Sequence, residues 1–152
     1  DIDAFRRKLN EVCTLTEEEL RPKVVIDVPM PISYITERLV NQLGCLEPFG
    51  KGNEKPIFAD KNLKIKKLQI LGKAGNVLKL TIENSTNYRM TAIMFDRTQE
   101  FMGFIKEKFG QEEINKALLG QNNAITFMAT FYPTINEFRG NIDLQIVIDR
   151  FC

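Results

Sequence analysis

Apolar residues recur along this chain with two different periods. Through the first third the period is helical. Ile2, Phe5, Leu9 and Val12 share one face of "IDAFRRKLNEV", with basic residues on the other. "KVVIDVPM" is a β-branched run ended by Pro29 and predicts a strand. "SYITERLVNQLGCL" places Ile35, Leu39 and Leu43 on one face, with Pro31 and Ser33 near its start and Gly44 positioned to stop it. A helix–strand–helix of this size cannot bury its own faces. It must pack on the rest of the chain or on a neighbour.

After "EPFGKGNEKPIF" the period changes to alternation. "NLKIKKLQILG" puts Leu63 and Ile65 on one face and Leu68 and Ile70 in the opposite parity, so a bulge is expected near Lys66 and Lys67. "NVLKLTIEN" turns Leu78, Leu80 and Ile82 inward, and "NYRMTAIMF" sets Met90, Ala92 and Met94 against Arg89, Thr91, Ile93 and Phe95. "RTQEFMGFIKEKFG" returns to helical spacing through Phe101, Ile105 and Phe109, ending at Gly110. "AITFMATFYP" and "NIDLQIVIDRF" are two further strands, with "TINEFRG" as their connection. Five curved strands with a helix between the third and fourth predict an OB-fold barrel, mainly β with α. Three parts follow: 1–46 as the helix–strand–helix, 47–58 as a linker turn and 59–152 as the OB-fold.

Composition narrows the chemistry. The chain has 152 residues, 43% of them hydrophobic and eleven of them Phe, enough for a real core. No apolar run reaches the roughly 20 residues of a membrane span, and no signal peptide opens the sequence. Three scattered cysteines, Cys13, Cys45 and Cys152, fit neither a disulfide framework nor a zinc site, which points to a reducing cytoplasm. The chain opens at Asp1 without Met and stops in a strand pattern at Cys152, and so reads as a piece of a longer polypeptide. Histidine is absent, which removes Ser-His and Cys-His nucleophile pairs and imidazole metal ligands. The acid run Glu17 to Glu19 reads as the exposed first turn of a short helix. No catalytic residue, metal ligand or cofactor site is expected within this chain.

Charge is nearly balanced, 21 basic against 20 acidic residues, but unevenly spread. Lys61, Lys64, Lys66, Lys67, Lys73 and Lys79 occur with no acid before Glu83. Lysines of this kind protect exposed sheet edges, and they also track phosphates. Charge alone favours the edge. Aromatics shift the balance: Lys66, Lys79, Arg89, Tyr88, Phe95, Phe131, Tyr132, Phe138 and Arg139 mix cations and rings at positions expected to be exposed. Single-stranded nucleic acid is held in this way, phosphates by cations and bases by stacking. Tyr132, Phe138 and Arg139 are expected in or beside the connection of the last two strands, a loop with which OB-folds grip ligands. The candidate nucleic-acid contacts are therefore Lys64, Lys66, Lys79, Arg89, Tyr132, Phe138 and Arg139. In the linker, Gly50-Lys51-Gly52 lacks the continuation of a phosphate loop and leads into a strand. Pro48, Phe49, Gly50, Gly52 and Asn53 are expected to be structural, with the glycines shaping the turn and Phe49 anchoring it.

"LEPFGKGNEKPIF" resembles the Leu-x-Pro-Phe-Gly-x-Gly-Asn-x-x-Pro-x-Phe segment of RecJ-type single-strand-specific DNA exonucleases, where it joins the second catalytic subdomain to a C-terminal OB-fold. "NEFRGNIDLQIVID" is similar to that family's Asn-x-x-x-Gly…Leu-Gln ending, and "RKLNEVCTLTEEELRPKVVIDVPM" to the tail of the preceding subdomain. Departures are Val77-Leu78-Lys79 where the family often has His-Leu-Lys, and Glu54 where a Pro follows the Asn. The family's Asp-His-His metal motif and the glycine-rich His motif of its second catalytic subdomain are absent. The resemblance implies a parent that is a manganese- or magnesium-dependent 5′→3′ exonuclease on single-stranded DNA, acting in recombination and repair. Its implied partners are single-stranded DNA, the missing catalytic core and other repair proteins, with no membrane. A rival reading is a protein-interaction or scaffolding domain that braces the core without touching DNA.

Overall fold

The computed structural model describes residues 1–16, 19, 24–138 and 140–152. Helix α1, Ile2–Val12, begins where the Asp1 carboxylate accepts from the Asp3 N–H, and none of its residues is buried. The expected strand that follows shrinks to β1, Val28–Pro29, paired in parallel with the start of β2. A 3₁₀ turn at Ile32–Tyr34 precedes α2, Glu37–Leu43. The N-cap of α2 is Thr36, whose hydroxyl accepts from Leu39 N–H, so the helix starts later than Pro31 and Ser33 suggested. Gly44 caps its end and leads into a second 3₁₀ turn at Gly44–Leu46.

The remaining strands are β2 (Phe58–Leu71), β3 (Val77–Glu83), β4 (Arg89–Phe95), β5 (Thr126–Phe138) and β6 (Asn141–Phe151). Their order is β2-β3-β4-β6-β5, and β5 pairs again with β2, so the five strands close into a ring. Closure is possible because β2 is long and breaks its register twice. The shift between Ile65 and Lys67 faces β3, where the phase of the apolar pattern slips. The shift between Asp60 and Leu63 faces β5, and Asn62 there takes a positive φ of 59°. Asn tolerates that conformation better than most residues. β4 and β6 run parallel, and the other ring pairs are antiparallel.

Leu63, Ile65, Leu68, Leu78, Leu80, Ile82, Met90, Ala92 and Met94 fill the interior as their alternation predicts. Ile70 does not join them. Its register matches Leu78, but it lies at the open end of the ring and stays 46% exposed. Between β4 and β5, α3 (Thr98–Phe109) plugs the ring with Phe101 and Ile105, and Phe101 meets Phe127 and Phe151 edge to face. Gly110 ends α3, and a second helix, α4 (Gln111–Leu118), follows at once. The sequence pattern had not separated α4, because only Ile114 and Ala117 of its residues are buried. Ile32 and Ile35, from ahead of the linker, are also in this core, at 0% and 2% exposure.

Candidate nucleic-acid interface

Strand register decides which side chains share the outer surface of the ring. Leu68, Leu80, Ala92 and Ile146 are paired in turn and buried, so their neighbours face out. One outward row runs Gln69, Lys79, Ile93, Val147, Tyr132, each paired with the next across β2, β3, β4, β6 and β5. A second runs Lys67, Thr81, Thr91, Gln145, Thr134. A third holds Leu71, Val77 and Phe95. Phe95 is 52% exposed and Leu71 40%, so rings and aliphatic chains lie open beside Lys67 and Lys79. The chain thus presents a polar and apolar platform with two lysines set into it.

The predicted contacts divide on this map. Lys79 is exposed and central, and no ion pair involves it among the described residues. Lys66 and Arg89 converge on one carboxylate, Glu83, at 3.4 and 2.7 Å. The Arg89 hydrogen bond, aided by Lys66, holds the Glu83 carboxyl below the usual glutamate range. Lys64 donates to Asn122 Oδ1 at 3.1 Å, outside the platform rows. Three of the four predicted strand cations are therefore already engaged within the protein. Among the other expected exposed positions, Tyr88 is 37% exposed and Phe131 is only 1% exposed. Phe131 is a core residue stacked on Phe58, because its register partner Ile148 also points inward.

Tyr132 lies on β5, as the strand pattern of "AITFMATFYP" predicts. β5 continues through Pro133 to Phe138, so Thr134–Phe138 of "TINEFRG" is strand rather than connection. Beyond Phe131 the pairing with β2 ends, so this part of β5 has β6 as its described neighbour. A proline is tolerated where a strand has an unpaired flank. Phe138 sits at the tip of this ribbon, paired with Asn141, and Arg139 lies outside the described residues.

The linker residues act as a unit. Gly50 and Asn53 exchange backbone hydrogen bonds at 2.8 and 3.0 Å, and Gly52 takes a φ of 85° between them. The Asn53 amide donates to the Leu46 and Pro48 carbonyls at 2.8 and 3.0 Å. This staples the turn to the 3₁₀ segment before it. Phe49, half-buried, meets Tyr132 edge to face at 5.9 Å, and the Lys55 ammonium lies 5.0 Å from the Tyr132 ring and 5.7 Å from Phe49. Burial, with Glu47 nearby, pushes the Tyr132 hydroxyl above its ordinary pKa. Lys67, Ile93, Val147 and Lys55 had not been singled out as site residues. Only cross-strand register places the first three beside Lys79 and Tyr132.

The RecJ OB domain family model matches residues 26–150. The single-stranded-DNA-specific exonuclease RecJ of Bacillus subtilis (strain 168) is 30% identical over 89 residues, covering 57% of this chain. The chain spans 11% of that relative's length. Among solved structures, the mitochondrial single-stranded DNA binding protein Rim1 of S. cerevisiae matches at a TM-score of 0.38 and 11% identity, over 63% of this chain and 89% of the other. With four-fifths of its residues inside the family match and the ring of strands in place, the chain belongs to the RecJ OB domain family.

Proposed function

We propose that this chain is the single-stranded-DNA-binding region of a RecJ-like 5′→3′ single-strand-specific exonuclease acting in recombination and repair. The observation that carries the reading is the outward row through Lys79, Ile93, Val147 and Tyr132, flanked by Lys67 and Phe95. Cations on such a platform attract the phosphate backbone, and the rings and aliphatic side chains receive bases without reading sequence. With few free cations the domain binds weakly by itself, and tethering to a catalytic core compensates by raising local concentration. The relative's name, a single-stranded-DNA-specific exonuclease, supports the substrate class.

Hydrolysis and its manganese or magnesium belong, in this reading, to the rest of the parent. The residues here do not fit such a metal: histidine is absent, and no three acidic or cysteine side chains gather among the described residues. The three free, exposed cysteines suit a reducing cytoplasm. No helix among the described residues is long and apolar enough to cross a membrane. The scaffolding reading draws on a separate observation, the bare apolar face of α1, with Phe5 65% and Val12 66% exposed. That face suits the catalytic core, or another repair protein, as a packing partner.

Fluorescence anisotropy of a labelled single strand, beside a duplex of equal length, tests the DNA reading. Preference for the single strand that weakens with salt is expected, with Lys79→Glu and Lys67→Glu each flattening the salt slope by about 0.7. Absence of binding at low salt rejects it and leaves the scaffolding reading.

A further inference from the structure

The outward row that ends at Tyr132 runs into a groove of about 340 Å³ between the linker and the β5–β6 pair. Glu54, Lys55 and Ile57 form one side, and Tyr132, Val147 and Asp149 the other. Its floor is apolar, while its rim carries one ammonium and two carboxylates. Asp149 meets Arg150 at 3.6 Å through Oδ2.

These groups set three demands that one ligand chemistry meets together. Tyr132 offers a ring for a flat π-face. The carboxylates of Glu54 and Asp149 can only accept hydrogen bonds, so they favour a ligand with an amine. Those carboxylates, with Glu47 nearby, repel phosphate, so a nucleotide must enter base first with its backbone outside. Lys55 is exposed on a long flexible stem and can leave the Tyr132 ring for that flanking phosphate. We infer that the groove is a base-reading subsite for amino-bearing bases, cytosine above all, on a strand crossing the outer face. Cytosine presents an N4 amine, the group that Asp and Glu accept from in base recognition. This inference rests on the DNA-binding reading of the outer face.

Cytosine and uracil have similar rings but differ at position 4, amine against carbonyl, and at N3, a bare acceptor in cytosine and an N–H flanked by two carbonyls in uracil. Anisotropy titrations with oligodeoxycytidylate and oligodeoxyuridylate of about 12 nucleotides, within the range of OB-fold site sizes, therefore compare an amine-bearing edge with one that has carbonyls on both sides of its N–H. The cytosine strand is expected to bind about three- to tenfold more tightly. The double variant Glu54→Ala, Asp149→Ala, at two exposed positions, is expected to bring that ratio close to unity, whatever it does to both affinities through charge. Ribose strands show whether the preference follows the base alone: a retained ratio assigns the subsite to either sugar, and a lost one confines it to DNA. Equal binding of cytosine and uracil strands by the native chain overturns the subsite while leaving the outer-face reading intact. So does a preference that survives the double variant. Failure of both strands to bind overturns the two together.

Discussion

Glu83 pairs with two of the chain's cations. It bridges Lys66 and Arg89 across three adjacent strands, and its own pKa falls chiefly because Arg89 donates to it. Glu83→Gln removes the charge that ties them, and single-strand affinity at low salt is expected to rise. The log–log salt dependence should steepen by about 0.7 for each cation released to a phosphate. Unchanged binding in salt titrations would show that neither cation reaches the DNA. The same carboxylate sets a pH dependence. Its native pKa is depressed, so its stabilisation is complete above the ordinary value of 4.5 and is lost as pH falls through the lower native value. Urea melts across that window should show a shallower acid loss for Glu83→Gln than for the native chain. The sequence displayed the lysine run and the acid that ends it, but not their meeting. That meeting depends on the bulge at Ile65 and Lys67 and on the β3–β4 register, which bring distant positions together. Thr134–Phe138 reads as connection in the sequence for a similar reason, since the proline before it signals a turn unless a free strand flank is known to exist.

At the scale of elements, alternation was legible wherever one face of a strand is wholly buried. β3 and β4 follow it without exception at Leu78, Leu80, Ile82, Met90, Ala92 and Met94. It failed at ends, where register and burial part company: Ile70 has inward register and open surroundings, and β1 keeps only Val28–Pro29 of a longer β-branched run. α4 was illegible because eight residues with two buried side chains give no sustained period. What makes α4 possible is Gly110, with φ 85° and ψ 165°, a conformation open essentially to glycine alone. It ends α3 through its N–H to the Lys106 carbonyl and turns the chain directly into α4. An added Cβ meets nothing within 4 Å, so any penalty comes from the backbone and not from crowding. Gly110→Ala is expected to cost about 1–3 kcal/mol in chemical denaturation. A neutral result would mean that the two helices can re-form around an ordinary backbone.

For the whole molecule, the question is which residues constitute the folding unit that carries the outer face. The linker suggests a division near residues 47–58, yet the core extends across it. Ile32 and Ile35 are buried among the ring residues, Met30 N–H reaches the Ala59 carbonyl at 2.8 Å, and Ile32 N–H reaches the Asp60 carboxylate at 2.9 Å. The family match likewise begins at residue 26, ahead of the linker. By contrast, α1 contributes no buried residue. Two substitutions separate these regions energetically. Ile35→Ala leaves a void beneath the ring and is expected to cost about 2–5 kcal/mol. Deleting residues 1–13 removes only exposed side chains and is expected to change stability by less than about 0.5 kcal/mol, as surface changes do. Denaturation midpoints of both variants, with strand binding measured on each, decide the matter. If the deletion destabilises the ring as much as Ile35→Ala does, α1 belongs to the folding unit. If it leaves stability and binding unchanged, the apolar face of α1 is free to serve a partner, and the platform of Lys67, Lys79, Phe95 and Tyr132 stands on a core that starts near β1.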